Sequence, residues 1–145
     1  YGCIYGAAYP LERDDSVLLY YGGSDDTHGS WRAASLGLAY LQRDRYAGLR
    51  AAGDEEGSIL IHPLRCTGTT LRINADAAGG SVRVGIENSD DRTIAECTPI
   101  TTDGQDTMVT WGTSDDLTRF VGHDVRLRFE LRNATVYSFE FGTST

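Results

Sequence analysis

The stretch LYYGGSDDTHGSWRAASLGLAYL, Leu19 to Leu41, gathers Asp25, His28, Trp31 and Arg32 in one glycine-rich loop, with Tyr21 on its upstream flank. These residue types suit sugar recognition. An exposed aromatic ring stacks on the apolar C–H face of a sugar, while planar polar groups take its hydroxyls, the arrangement common to pockets with few polar groups around an apolar platform. Trp111, which ends MVTW, is a second candidate platform. Each tryptophan also has a plainer role: Trp31 at the seam between the first hairpin and whatever covers it, and Trp111 in the core. Tyr137, Phe139 and Phe141 alternate onto one face and are expected inside.

Other chemistries find less support. Glycoside hydrolysis needs two carboxylates facing one another across the sugar, about 5 Å or 6.5–9.5 Å apart. The acidic pairs here, such as Asp14 with Asp15 and Asp115 with Asp116, are adjacent in turn-like segments, where Asp bonds its own backbone. Asn88, Asp90 and Asp91 in NSDD form an oxygen-rich turn that could hold a structural calcium, although the spacing is not that of an EF-hand. No other cofactor is expected. His28, His62 and His123 are scattered, and Cys3, Cys66 and Cys97 include no CxxC pair, which argues against zinc. One disulfide with a free thiol, or three thiols, both fit. No G-x-S-x-G elbow occurs, so nucleophilic catalysis is not expected and no catalytic residue is assigned.

The formal net charge of -8 repels phosphate backbones and anionic headgroups, so neither nucleic acid nor a membrane surface is an expected partner. All the basic side chains are arginine. No apolar run is long enough to span a bilayer. The opening YGCIYGAAYP lacks the basic and apolar regions of a signal peptide and has no initiator Met, which fits a chain cut from something longer. A soluble protein is expected, with the compartment open and bacterial secretion one option.

The elements that must carry these residues are strands. Helical periodicity is nearly absent, whereas period-2 alternation recurs between Gly, Asp, Ser and Asn clusters. Leu71, Ile73 and Ala75 face one way in TLRINAD, as do Val82, Val84 and Ile86 in SVRVGIE, and the intervening AAGG suggests a hairpin. VRLRFELR sets Val125, Leu127, Phe129 and Leu131 against a charged face, and VYSFEF is expected to pair back on it through a turn at Asn133–Ala134. Asn133 also matches the glycosylation pattern, for which the turn role is the better account. Further strands are expected at 17–22, 33–41, 58–61 and 107–111. The acidic, small-residue stretch Ala51–Gly57 reads as a junction. The expectation is an all-β protein, an antiparallel, jelly-roll-like β-sandwich over 51–145 preceded by an extra β-hairpin segment over 1–50.

LYYGGSDDTHG followed by ASLGLAYLQRDRYAGL resembles the last blade of five-bladed β-propeller glycoside hydrolases of the invertase and arabinanase kind. The segment from GSILIHPLRC through VRLRFELRNATVYSFEF is similar to the β-sandwich module that follows such propellers in bacterial proteins. The resemblance implies a non-catalytic accessory module, with catalytic carboxylates on blades this sequence does not contain. Binding of a polysaccharide or oligosaccharide through exposed aromatics is the expected function. The alternative is a structural docking module, whose partner would be a parent propeller domain or a second copy of the chain.

Overall fold

The computed structural model describes residues 2–29, 33–51 and 55–143. The chain forms two compact units, Tyr1–Tyr46 and Ala47–Thr145. Both are built from antiparallel strands, and the fold is all-β and sandwich-like, as the alternation predicts. Among the described residues the helical content is a single 3-10 turn at Thr118–Phe120.

The first unit is a small sheet. Its strands are β1 (Cys3–Gly6), β2 (Leu11–Arg13), β3 (Ser16–Ser24) and β4 (Ala34–Gln42). β3 is the centre: β4 pairs along its whole length, while β1 and β2 share its other edge, one at each end. Residues opposite one another in an antiparallel pair share a face. Register therefore places Tyr20 and Leu18 of β3 on the same face as Tyr5, Leu11, Leu36, Leu38 and Tyr40. The reverse face carries Ile4, Val17, Leu19, Tyr21, Ala39 and Leu41. Apart from Glu12 on the reverse face and Arg13 and Gln42 at one end of the other, both faces are largely apolar, a pattern that strands adopt when they are covered on both sides.

The second unit contains β5 (Leu49–Arg50), β6 (Glu56–Leu60), β7 (Leu64–Arg65), β8 (Thr70–Asp76), β9 (Ser81–Ile86), β10 (Asp103–Met108), β11 (Asp124–Val125), β12 (Leu127–Arg132) and β13 (Thr135–Gly142). One sheet has the order β10-β8-β13-β5 and the other β6-β12-β9, with β7 and β11 paired separately. The inner faces supply one core: Leu71, Ile73, Val82, Val84, Leu127, Phe129 and Leu131 are all buried. These are the positions that alternation assigns to the inside.

Strand partners differ from the expectation. β8 and β9 do not form a hairpin, nor do β12 and β13; each pair lies in two different sheets. The short links AAGG and Asn133–Ala134 carry the chain across the sandwich. They also lie against each other, with the Asn133 side-chain amide donating to the Gly79 carbonyl at 3.1 Å. A Cβ on Gly80 would stand 2.1 Å from the Arg132 carbonyl oxygen, so glycine is required there by close approach of backbone. Alternation reports which face of a strand is buried, but both strands of a crossover bury a face just as both strands of a hairpin do.

Two local departures follow. Between Val136 and Ser138 the pairing with β8 shifts, so Tyr137 is the extra residue of a bulge. Val136, Phe139 and Phe141 consequently occupy inward positions, and Phe139 and Phe141 pack on the core while half-buried Tyr137 steps out of phase. The strand expected at 107–111 instead covers Asp103–Met108, and Trp111 makes isolated bridges to Cys97 and Ser114.

Candidate functional site

Residues singled out from the sequence scatter over three environments. Tyr21 is a half-buried β3 residue whose ring lies over its cross-strand partner Gly37, where a Cβ would come within 2.3 Å of the ring. Asp25 and His28 are exposed in the loop after β3. Asp25 works locally: its Oδ1 accepts the Ala33 amide at 3.1 Å, and its own amide donates to the Ala33 carbonyl, which closes the neck of the loop. Asp26 similarly accepts the Thr27 amide at 2.7 Å. The His28 ring sits 6.3 Å from that of Tyr5, tilted by 54°. Trp31 and Arg32 lie outside the described residues.

Trp111 is not an open platform. It is 3% exposed, its indole N–H donates to the Val84 carbonyl at 2.9 Å, and the Arg92 guanidinium lies 5.6 Å from the ring centroid. Of its two sequence-derived roles, the core role is the one this burial fits, because a stacked sugar needs an accessible ring face.

The NSDD turn is built around arginines. Asn88 has φ 61°, a left-handed conformation that asparagine tolerates in turns, and Asp90 is exposed. The Asp91 carboxylate accepts the Ser89 hydroxyl at 3.1 Å and pairs with both Arg92, at 3.2 Å, and Arg119. Two fixed guanidinium groups on one carboxylate oppose the approach of a cation. Arg92 further donates to the Asp116 carbonyl and to Ser114 Oγ, so this cluster ties the 88–92 and 114–119 loops together. Beside it, hydrogen bonds from Thr118 and the nearby charge of Arg92 hold the Asp116 carboxyl below the usual aspartate range. Among the described residues no group of three or more His, Cys, Asp or Glu side chains comes together to hold a metal.

All three cysteines are free thiols. Burial pushes the Cys66 and Cys97 thiols up, against the lowering effect of a backbone hydrogen bond at each. They behave as small core residues, and a raised thiol is a poor nucleophile at neutral pH.

The feature that sequence reading missed is a tyrosine row. Tyr5 stands opposite Gly22, Tyr20 lies on β3, and Tyr40 stands opposite Leu18. The three therefore run diagonally across one face of the first sheet, with diagonal neighbours about 7–8 Å apart. All are exposed, Tyr40 at 72%, and Leu36 on the same face reaches 78%. None of the strand positions on this face is Asp or Glu, although the chain has 21 acidic residues. The signal was available in the sequence as LLYY, whose apolar residues fill both alternating faces. That pattern marks a sheet that needs covering twice.

A different apolar feature lies within the second unit. A cleft of about 430 Å³ opens between the two sheets, floored by Ile59, Phe129, Val136 and Phe139. The Phe129 and Phe139 rings are 5.6 Å apart. No helix among the described residues is long and apolar enough to cross a membrane. Comparison with protein-family models, with curated proteins and with solved structures finds no match to this chain.

Proposed function

We propose that this chain is a non-catalytic accessory module of a carbohydrate-active protein, and that its first sheet works by packing against another β-sheet of a propeller-type domain. The observation that carries this reading is the exposed, carboxylate-free face bearing Tyr5, Leu11, Tyr20, Leu36 and Tyr40, on a sheet whose reverse face is largely apolar apart from Glu12. Its exposed apolar surface is on the order of 500 Å², at the upper end of what a monomer usually leaves open. Sheets repeated radially in a propeller are covered on both faces by their neighbours. A flat sheet lined by leucine and tyrosine suits such a neighbour better than it suits a hydrated ligand. The resemblance of the first 50 residues to a closing blade agrees with this partner.

Hydroxyl-radical footprinting of Tyr20 and Tyr40 tests the reading, with this chain alone compared against the natural gene product that contains it. Labelling of Tyr40 is expected to fall at least about fivefold in the natural product, as when an exposed ring becomes buried. Equal labelling in both overturns docking through this face.

A second reading rests on the diagonal of Tyr5, Tyr20 and Tyr40, which could stack the sugars of an extended glycan. Retention of the isolated chain on insoluble cellulose, xylan, arabinan or fructan, abolished by Tyr40→Ala without a change in melting, would establish it.

A further inference from the structure

We propose that the open side of the sandwich takes an extended segment of a partner protein as an added strand along β13, with apolar side chains at alternate positions and Lys or Arg on its flanks. The two sides of the sandwich are closed very differently. On one side the outer edge of β9 is sealed by the irregular 92–111 segment. Val82 and Ile100 exchange backbone hydrogen bonds at 2.9 Å, the Val84 amide donates to Cys97 Sγ, the Val84 carbonyl accepts the Trp111 indole, and the Ile86 amide donates to Arg92.

Among the described residues the other side has no such seal. β13 pairs with β8 from Thr135 to Gly142, whereas among the described strands its opposite edge pairs with β5 at Thr135 and Val136. Among the described residues no strand pairs with that edge from Ser138 to Gly142. An unpaired edge presents backbone donors and acceptors that template another strand. Beside it runs the cleft of about 430 Å³, where Leu49, Ile59, Phe129, Val136 and Phe139 would receive every second side chain of an incoming strand. An acyl chain could fill the same volume but would leave the backbone edge unpaired. Among the described residues the lining carries no charged side chain, so neutral inserted residues are required. The net charge of -8 repels a second copy and steers toward a segment with basic flanks.

The probe is a fluorescein-labelled nonapeptide of alternating valine and threonine between lysine pairs, followed by fluorescence anisotropy with the intact chain. Saturable binding that weakens with added salt is expected. Two N-methylated forms of the peptide, modified at alternate sets of amides, then distinguish strand pairing from simple burial. One set should lose at least about tenfold in affinity and the other little, because successive amides of a strand point to opposite edges. Binding is also expected to fall at least about tenfold in Ile59→Trp, which enlarges a half-buried side chain on the inward face of β6 and fills the cleft. No binding by the parent peptide, equal losses for both methylated forms, or displacement by a fatty acid with no peptide binding each overturns the proposal. Because the site lies wholly within Ala47–Thr145, its failure leaves the docking of the first sheet untouched.

Discussion

The carbonyl of Val84 accepts the indole N–H of Trp111 at 2.9 Å, while the amide of the same residue donates to the sulfur of Cys97 at 3.2 Å. Two side chains thus finish the hydrogen bonding of a β9 edge residue where a strand would otherwise be needed. Trp111→Phe keeps most of the ring and removes the donor, leaving the buried carbonyl unsatisfied at a cost of about 1–3 kcal/mol. Trp111→Ala adds a cavity and is expected to cost about 3–5 kcal/mol. Urea denaturation measures both, and a neutral Trp111→Phe would show that the bond contributes nothing to stability.

The buried thiols give a second expectation. With Cys66 and Cys97 raised by burial, both hold less thiolate at neutral pH than a solvated cysteine. Iodoacetamide should therefore modify half-buried Cys3 first, and the other two at a rate that follows unfolding. Mass spectrometry of partially alkylated protein, with and without denaturant, reads the order directly.

Glu87 and Arg128 predict an acid-side dependence. The Arg128 guanidinium, 2.7 Å away, holds the Glu87 carboxyl below the ordinary glutamate range. A lowered folded-state value means that its contribution is fully present above the unfolded value of about 4.3 and is lost as pH falls through the folded one. The pair is partly solvated, so the effect is small. Glu87→Gln should narrow the difference between melting temperatures at neutral pH and below pH 4, and an unchanged difference would remove Glu87 from the acid response.

Gly80 provides a backbone test. The carbonyl oxygen that its Cβ would meet belongs to Arg132, the last residue of β12 before the other crossover, and cannot swing away as a side-chain tip can. Gly80→Ala is expected to cost at least about 1–3 kcal/mol. Gly112, with open space around it but φ +60°, should cost about 1 kcal/mol on the same change, from backbone strain alone. Equal costs at the two sites would mean that the crossovers do not press on each other.

How far the sequence could be read depends on what each pattern encodes. Alternation assigned Leu71, Ile73, Val82, Val84, Leu127 and Phe129 to the inside, and all are buried, because a strand's period directly sets its faces. It did not reveal partners: AAGG has the composition of a turn, yet its glycines serve a crossing between sheets. It placed Phe139 and Phe141 inside, where they pack on the core, but it also placed Tyr137 there, since no composition cue marks the residue inserted at the bulge. The loop with Asp25 and His28 looked like chemistry because polar turn residues and binding residues are the same types. In the structure Asp25 bonds the loop's own backbone. The tyrosine diagonal was invisible for a geometric reason, as Tyr5, Tyr20 and Tyr40 become neighbours through register alone.

The order of strands also sets a timetable. In the first unit β3 pairs with the strands immediately before and after it, so its contacts close short loops and can form within microseconds. Among the described strands of the sandwich no two consecutive ones pair: β12 must find β9 and β6, and β13 must find β8, across long stretches of chain. Such non-local closure slows folding toward the millisecond-to-second range. During that interval the first sheet is already formed, with its tyrosine face open to other chains in the same state. Crowding of nascent molecules is thus the condition under which this protein is most exposed to misassembly, and dilution or a covering domain made earlier in synthesis would relieve it.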